Sequence, residues 1–429
     1  MAPRPPVIYN IFPTLVGPVT SWVAHAERAR RMGFTWLYVN PFHYPGFSGS
    51  LYAIKDYRRL HPLLETPESG LDVQTLAPVV RSIRDLGLTV MMDLVINHTS
   101  KDSPLVTSHP GWFRRDATGE VISPSAIDPA NPENVTVWGD LAEVDNEGAK
   151  DQEGLWGFWE GLVHRSLDLG FTAFRCDAAY KVPATLWDRL VSRAKARNPK
   201  TIFVAETLGC RLDEMQALES AGFDYFYNSS KWWDLMAPWC LEQHEQFRKV
   251  APSISFPESH DTPRLAGETE GSEAIQRQRY TFAAVFSEGV QITVGYEFGF
   301  RRSLDVVKTR PSDWEEGSID LSRFIRRVND LKLAHPLLGT EGVLRSMQTS
   351  APDVTAIRRW SDDAGTHRGI ILINRDAASE REVRVIPAEL PSSPRLYRPC
   401  RDEAPPRGLP VPETVRLAPA EVALVMEAL

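Results

Sequence analysis

The stretch "GFTAFRCDAAYKVP", residues 170–183, begins with the pattern of an apolar β-strand, and charged residues interrupt the end of this strand. Successive side chains of a strand point to opposite faces, so Arg175 and Asp177 share a face. A structural ion pair would explain such a pair taken alone. A functional site is the alternative, and it requires further polar side chains at the ends of neighbouring strands.

Seven similar runs accompany this one, and amphipathic segments lie between them. The eight runs are 6–12, 36–43, 88–98, 171–178, 201–207, 223–229, 254–261 and 290–299. The helix-like segments 21–33 and 76–87 both end in glycine, the residue favoured just past a helix end. Strand and helix repeated eight times predicts an α/β fold, a (β/α)8 TIM barrel of parallel strands.

Two regions depart from this repeat and predict further domains. Residues 99–156 are too long for one crossover and rich in Pro, Asp, Gly and Asn, which indicates an inserted subdomain. Residues 340–429 contain short alternating runs broken by turns, which predicts a C-terminal antiparallel β-sandwich domain. The catalytic barrel is then expected over residues 1–98 and 157–335.

Composition and charge exclude some classes of partner. The formal net charge is -8, which argues against nucleic acid or an anionic membrane surface as a partner. No run approaches the roughly 18 apolar residues of a membrane span, and the N-terminus lacks the apolar core of a signal peptide. The four cysteines form no CxxC pair. We therefore expect a cytoplasmic protein with reduced thiols. No sequence feature indicates an oligomeric state.

Polar residues gather at the ends of four predicted strands. They are Asp93, Asn97 and His98 on the third strand, Arg175 and Asp177 on the fourth, Glu206 on the fifth, and Glu258, His260 and Asp261 on the seventh. The active site of a TIM barrel lies at the C-terminal ends of its strands. This shared rim favours a functional site over an isolated ion pair.

Four of these motifs resemble, in order and each on the expected strand, the signature regions of a known family. They are "DLVINH" (93–98), "FRCDAAYK" (174–181), "AET" (205–207) and "ESHDT" (258–262), and "SGSLYAIKDY" (48–57) and "DLAEVD" (140–145) add weaker matches. Over most of residues 1–335 the chain resembles the α-amylase superfamily, glycoside hydrolase family 13. The resemblance implies a retaining enzyme that acts on α-glucans.

The resemblance assigns three carboxylates to the chemistry. It implies that Asp177 is the nucleophile, Glu206 the general acid/base and Asp261 the carboxylate that binds sugar hydroxyls and favours substrate distortion. The residue pattern agrees, because Arg175 should lower the pKa of Asp177. Burial behind the apolar run "IFVA" should raise the pKa of Glu206. A buried structural ion pair is the alternative for Glu206.

The resemblance also implies a set of substrate contacts. His98 and His260 are expected to hydrogen-bond the sugar at the cleavage point, and Tyr52 to stack under it. Structural histidines and a core tyrosine are the alternatives. Asp93 is expected to organise the barrel mouth through hydrogen bonds instead of touching the bond that breaks.

Asn97 ligates a structural calcium in many relatives of this superfamily. In this chain Lys181 stands where many calcium-binding relatives have a histidine. A cation there would repel calcium, so we expect neither a metal ion nor another cofactor.

Several stretches resemble one branch, the maltosyltransferases that extend α-1,4-glucans from maltose 1-phosphate. These stretches are residues 103–121, Pro183, 205–234 and 261–265. The predicted substrate is therefore an α-glucan or malto-oligosaccharide, with a sugar phosphate as a candidate donor. Lys181 and residues 229–231 are candidates for the phosphate or an acceptor sugar, and a solvated rim is the alternative.

Three hypotheses remain open at this point. The first is a transglycosidase that moves glucosyl or maltosyl units, and the second is a hydrolase of α-1,4-glucosidic bonds. They differ in whether a sugar or water intercepts the covalent intermediate, and no motif separates them. The third is a catalytically silent carbohydrate-binding barrel, which the intact Asp177, Glu206 and Asp261 disfavour.

Overall fold

A closed barrel of eight parallel strands forms the centre of the molecule. A computed structural model describes residues 4–66, 70–128, 131–386, 390–402 and 407–429. The barrel strands are β1 (Val7–Ile11), β2 (Trp36–Val39), β3 (Thr89–Leu94), β4 (Ala173–Cys176), β5 (Ile202–Ala205), β6 (Tyr225–Tyr227), β7 (Ser253–Ser255) and β8 (Gly289–Thr293). Each strand pairs with its neighbours in sequence, and β8 closes against β1. The predicted TIM barrel is confirmed, with strands shorter than the apolar runs because the polar ends leave the ladder.

The barrel interior changes from apolar to polar along its axis. Its apolar layer includes Ile8, Trp36, Met91, Ala173 and Val204. Two residues further along the same strands, and therefore on the same face, stand Asn10, Tyr38, Asp93, Arg175 and Glu206. This alternation places the polar layer at the C-terminal mouth, where the strands open toward the loops.

Helices surround the barrel and follow the strands. The α-helices are Pro13–Val16, Trp22–Arg31, Leu76–Asp85, Pro104–Ser108, Gln152–Leu169, Ala184–Arg197, Leu212–Gln216, Trp239–Phe247, Leu265–Glu268, Glu273–Phe286 and Ser322–Ala334. Single 3-10 turns are Val19–Ser21, Pro62–Leu64, Val73–Thr75, Pro110–Trp112, Ala179–Lys181, Glu219–Ala221, Ser230–Trp232, Tyr296–Phe298, Pro311–Asp313 and Pro336–Leu338. Gly33 and Gly87 adopt φ of 84° and 82° just past two of the helices, as their positions predicted.

The segment between β3 and β4 contains small antiparallel pairs. His98–Ser100 pairs with Leu141–Glu143, and Ser125–Asp128 pairs with Asn131–Val137. The predicted boundary at residue 156 falls inside the helix Gln152–Leu169, which leads into β4. Another antiparallel pair, His43–Pro45 with Ile54–Leu60, lies after β2. The predicted domain boundaries stay predictions.

The C-terminal region is antiparallel. A six-stranded sheet has the order β9 (Val343–Met347), β10 (Val354–Trp360), β11 (Arg368–Asn374), β16 (Val422–Glu427), β13 (Pro394–Tyr397) and β14 (Leu409–Pro410); β12 (Arg381–Arg384) pairs separately with β15 (Thr414–Leu417). One face of the large sheet packs with Phe282 and Phe286 of a barrel helix. The other face packs with Val383 and Val415 of the small sheet. The predicted β-sandwich is confirmed.

Two further predictions bear on the chain as a whole. Across the described residues, the helices are all too short or too polar to cross a membrane. The four cysteines are free thiols, and Cys176 and Cys240 are buried.

Candidate active site

The Arg175 guanidinium joins three carboxylates at the barrel mouth. The register of β3 and β4 places Arg175 directly opposite Asp93. Arg175 Nη1 donates to Asp93 Oδ1 at 2.8 Å and to Asp177 Oδ1 at 2.6 Å. Its Nη2 lies 3.7 Å from Glu206 Oε2. One buried cation therefore faces three acids, which leaves the cluster rich in negative charge.

Glu206 has an environment that suits a general acid. Its carboxylate accepts hydrogen bonds from the backbone N–H groups of Ala178 and Leu208, at 2.9 and 2.7 Å. Burial, opposed by Arg175 and reinforced by the charge of Asp177, raises the pKa of Glu206 to about 7. Glu206 can therefore hold a proton near neutral pH and release it.

The backbone is strained at Ala178, which follows Asp177 and contacts Glu206. Ala178 adopts φ of 41°, in the left-handed region that residues with a Cβ avoid. The N–H of the same residue donates to Glu206 Oε2. Such strain concentrates at functional sites.

Asp177 differs in one respect from the sequence prediction. Burial raises the pKa of Asp177, and the Arg175 guanidinium acts against this rise. Arg175 lowers the pKa of Asp177, as predicted, but desolvation raises this pKa by more because only 8% of Asp177 is exposed. The pKa of this carboxyl therefore lies above its usual value and not below it.

Asp93 lies beneath the cavity and anchors the network. Its Oδ2 accepts hydrogen bonds from the hydroxyls of Tyr38 and Tyr52, at 2.5 and 2.7 Å. Only 1% of Asp93 is exposed, and it does not line the cavity. This arrangement matches a role in organising the mouth.

Tyr52, His260 and Asp261 form a second linked group. The Tyr52 hydroxyl lies 2.6 Å from His260 Nε2, and the two rings stack with an interplanar angle of 4°. His260 Nε2 also lies 2.9 Å from Asp261 Oδ2. Surrounding protein atoms partly desolvate Asp261 and raise its pKa, although 56% of its side chain is exposed, but His260 and Arg175 lower it more, so the pKa lies below its usual value. Asp261 is thus an anion at neutral pH.

These side chains open onto a cavity of about 590 Å³, within the range of pockets that hold small ligands. It brings together eight of the ten predicted site residues: Tyr52, Asn97, His98, Arg175, Asp177, Lys181, Glu206 and Asp261. Asp93 and His260 lie behind this wall and contact its residues. Burial lowers the pKa of His98, which is therefore neutral in this wall.

The cavity includes aromatic residues that the sequence motifs did not identify. Trp138 and Tyr180 line it, and 43% of Trp138 is exposed. Trp232 also lines it and is 53% exposed. In contrast, Trp233 is 2% exposed in the core, and Trp239 lies outside the cavity lining. Exposure, which distinguishes the useful tryptophans, is not readable from the sequence.

Glu258 does not belong to the candidate site, although it ends β7 like its neighbours. Arg264 Nη1 donates to Glu258 Oε1 at 2.6 Å, and the Leu265 N–H donates to Oε2 at 2.7 Å. Both charged side chains are 1% exposed. This pair is structural.

The described part of the chain contains no group of three or more His, Cys, Asp or Glu side chains placed to hold a metal ion. The amide of Asn97 lies against His98, its Nδ2 3.4 Å from the histidine Nδ1. Lys181 is exposed at the rim of the cavity.

Sequence comparison matches one family profile and several curated relatives. The profile of the glucanotransferase domain of glycogen debranching enzyme matches residues 7–116. The α-1,4-glucan:maltose-1-phosphate maltosyltransferase of Burkholderia pseudomallei is 26% identical over 394 residues, which cover 87% of this chain and 33% of that protein. The enzyme of the same name from Corynebacterium glutamicum is 28% identical and aligns with 84% of this chain and 56% of its own length. The chain thus spans about a third to just over half of these relatives.

Structural comparison finds the same barrel in α-amylases. An α-amylase from Lactobacillus plantarum superposes with a TM-score of 0.76 at 20% identity, covering 98% of both chains. An α-amylase from Geobacillus thermoleovorans, in complex with acarbose, gives 0.76 at 16% identity and covers 98% of both chains. The predicted resemblance to the maltosyltransferase branch is confirmed by these sequence relatives, and the solved structures show that the chain has the fold of the α-amylases.

Proposed function

We propose that the chain is a retaining enzyme of α-glucans that works through a covalent glycosyl-Asp177 intermediate. The observation that carries the proposal is the position of Arg175 between Asp177 and Glu206 at an open cavity. A carboxylate held by a guanidinium and a carboxyl with a pKa of about 7 form the pair that this chemistry requires.

In the first step, Glu206 donates its proton to the glycosidic oxygen while an oxygen of Asp177 bonds to the anomeric carbon. The bond from that carbon to the leaving oxygen breaks, and the leaving group departs as a neutral alcohol from a glucan or as hydrogen phosphate from a sugar phosphate. Glu206, now a carboxylate, then takes a proton from an incoming hydroxyl. The oxygen of this hydroxyl displaces Asp177, which returns to its anionic form.

The charge of the cluster supports this sequence. Asp261 is an anion beside the cavity, and with Asp93, Asp177 and Arg175 it leaves the site negative. A negative environment stabilises the oxocarbenium-like transition state, which carries positive charge on the sugar. Tyr52 and the exposed Trp138 and Trp232 offer faces on which sugar rings stack.

We propose that the enzyme transfers glucosyl or maltosyl units to α-1,4-glucans, with a sugar phosphate as a donor. The relatives named for maltose 1-phosphate support this donor. Lys181 supports it too, as an exposed cation on the cavity rim. Lys231 is a weaker phosphate ligand, because its Nζ already contacts Glu268 at 3.1 Å. Hydrolysis of the same bonds is the second candidate, and the open cavity that admits water supports it.

Mass spectrometry of the products separates these candidates. The protein is incubated with maltoheptaose alone and with maltoheptaose plus maltose 1-phosphate, beside the Asp177→Ala variant as control. Longer chains that depend on the phosphate establish the proposed donor, and longer chains in both tubes establish transfer between glucans. Short sugars alone establish a hydrolase. No product from these substrates, sucrose or trehalose would overturn the proposal in favour of a silent barrel.

A further inference from the structure

Two buried asparagines lie behind the proposed catalytic residues. Asn10 belongs to β1 and Asn40 follows β2; both are 0% exposed and neither lines the cavity. Asn10 Nδ2 lies 2.9 Å from Asn40 Oδ1. Asn40 Nδ2 lies 3.1 Å from the Tyr38 hydroxyl and 3.2 Å from the Tyr52 hydroxyl. Buried amides are costly unless they are bonded, so this pair needs an explanation.

The backbone fixes the direction of these hydrogen bonds. Asn10 Nδ2 lies 3.3 Å from the carbonyl oxygens of both Ile11 and Tyr38. Carbonyl oxygens only accept, so this end of the Asn10 side chain must be its amino group. Asn10 therefore donates to Asn40 Oδ1. The amino group of Asn40 must then face the two tyrosine hydroxyls.

The direction continues into the carboxylate network. A tyrosine hydroxyl has one proton, and Asn40 donates to the oxygens of Tyr38 and Tyr52. His260 Nε2 lies 2.6 Å from the Tyr52 hydroxyl, but it also faces the ionised carboxylate of Asp261, which only accepts, so it carries a proton and cannot accept one from Tyr52. Each hydroxyl proton is thus directed to Asp93 Oδ2, at 2.5 and 2.7 Å. Asp93 Oδ2 accepts from two O–H donors, so Arg175 donates to Oδ1 of this carboxylate and not to Oδ2.

We propose that Asn40, oriented by Asn10, is a positioning residue that directs the protons of Tyr38 and Tyr52 onto Asp93 and so leaves Arg175 available to hold Asp177. This inference rests on the proposed function. Asn40 touches no substrate and acts through the tyrosines. Without its amino group the hydroxyls can turn away, Asp93 draws more of the guanidinium, and Asp177 is held less firmly.

The consequence concerns the ionised form of the nucleophile. The titratable groups that face Asp177 are Asp93, His98, Arg175, Glu206, Tyr57, Tyr180 and Cys176. Among them only Arg175 is a permanent cation, so a weaker contact with it makes Asp177 harder to ionise. Loss of the Asn40 donor should therefore shift the acidic limb of the kcat/KM profile to higher pH. The sugar contacts are untouched, so KM should change little.

The test compares two variants of equal shape change, Asn40→Leu and Asn329→Leu. Asn329 is a matched control because it is also 0% exposed and also contacts a tyrosine hydroxyl, that of Tyr280, outside the site. We expect N40L to lower kcat about fivefold, which corresponds to the loss of one hydrogen bond. KM should stay within about twofold of the wild-type value, and the acidic limb of the kcat/KM profile should move to higher pH. N329L should keep kcat and the limb. Equal kinetic losses and unshifted limbs in both variants would overturn the inference.

Two further measurements keep the test decisive. If N40L does not fold, Tyr38→Phe removes one of the two directed protons with little change of shape, and an unshifted acidic limb in this variant would overturn the inference. Low-field proton NMR follows the hydroxyl protons of Tyr38 and Tyr52 without turnover, even if wild-type inactivity has refuted the proposed function. Signals that shift in N40L and stay in N329L support the network, and signals that stay in both refute it.

Discussion

Two clusters at the barrel mouth each contain a buried arginine and carboxylates, but one is structural and the other forms the candidate active site. Arg264 meets one carboxylate, Glu258, and also donates to the backbone carbonyls of Val294 and Arg302. Arg175 meets Asp93 and Asp177 and lies close to Glu206. The first cluster is sealed and balanced, whereas the second is negative and borders a cavity. The number of carboxylates per arginine, together with access to the cavity, separates a functional site from a structural pair here.

The largest expected effect is at Asp177. The Asp177→Ala change should lower activity by about 10⁴-fold or more, because it removes the nucleophile. The fold should remain, since the barrel core does not depend on this side chain. Product analysis together with circular dichroism checks both statements, and wild-type activity in this variant would refute the nucleophile assignment.

The sealed cluster should respond in stability and not in chemistry. Arg264→Met leaves Glu258 buried without its partner, which should reduce the free energy of unfolding by about 3–5 kcal/mol. Denaturant titration measures this loss. The kcat per folded molecule should stay near that of the wild type. A large fall in kcat at unchanged stability would show that the two clusters are not separate.

The pH profile should report the second cluster. Glu206 must be protonated in the first step, so with a pKa of about 7 the rate should fall as the pH rises above about 7. Asp177 must be ionised, so the rate should also fall at low pH, at a pH above the usual pKa of an aspartate. In Glu206→Gln, assayed with an activated donor that needs no acid, the alkaline limb should disappear. A limb that persists there belongs to another group.

The smallest effect is expected from metal removal. A chelator such as EDTA should change the Tm by less than about 2 °C. The reason is the cation of Lys181, which lines the same cavity as Asn97 and would repel a calcium ion there. Differential scanning calorimetry with and without EDTA tests this. A large fall in Tm would show that a bound ion stabilises the fold.

Sequence reasoning reached the barrel and most of the site for a physical reason. Period-two alternation and strand-end polarity are local patterns, and they predicted that Arg175 and Asp177 share a face. Glu258 is structural because it pairs with Arg264, and Trp232 belongs to the site because it lines the cavity. Both properties depend on tertiary structure, which local sequence patterns do not contain. The role of Asn40 has no local signal, because two of its three side-chain partners, Asn10 on β1 and Tyr52, come from other parts of the chain. The pKa of Asp177 depends on burial, which the alternation alone does not quantify.

The change of the barrel interior from apolar to polar has an evolutionary consequence. Arg175 and Asp93 meet because β3 and β4 are in one register, and each strand contributes alternate residues inward. Inserting or deleting a single residue within a strand would turn its polar end toward the helices and dismantle the constellation. Related proteins can therefore change their loops, such as the one that carries Trp138, and so change their substrates. The length of each barrel strand must stay constant to keep the polar side chains facing inward.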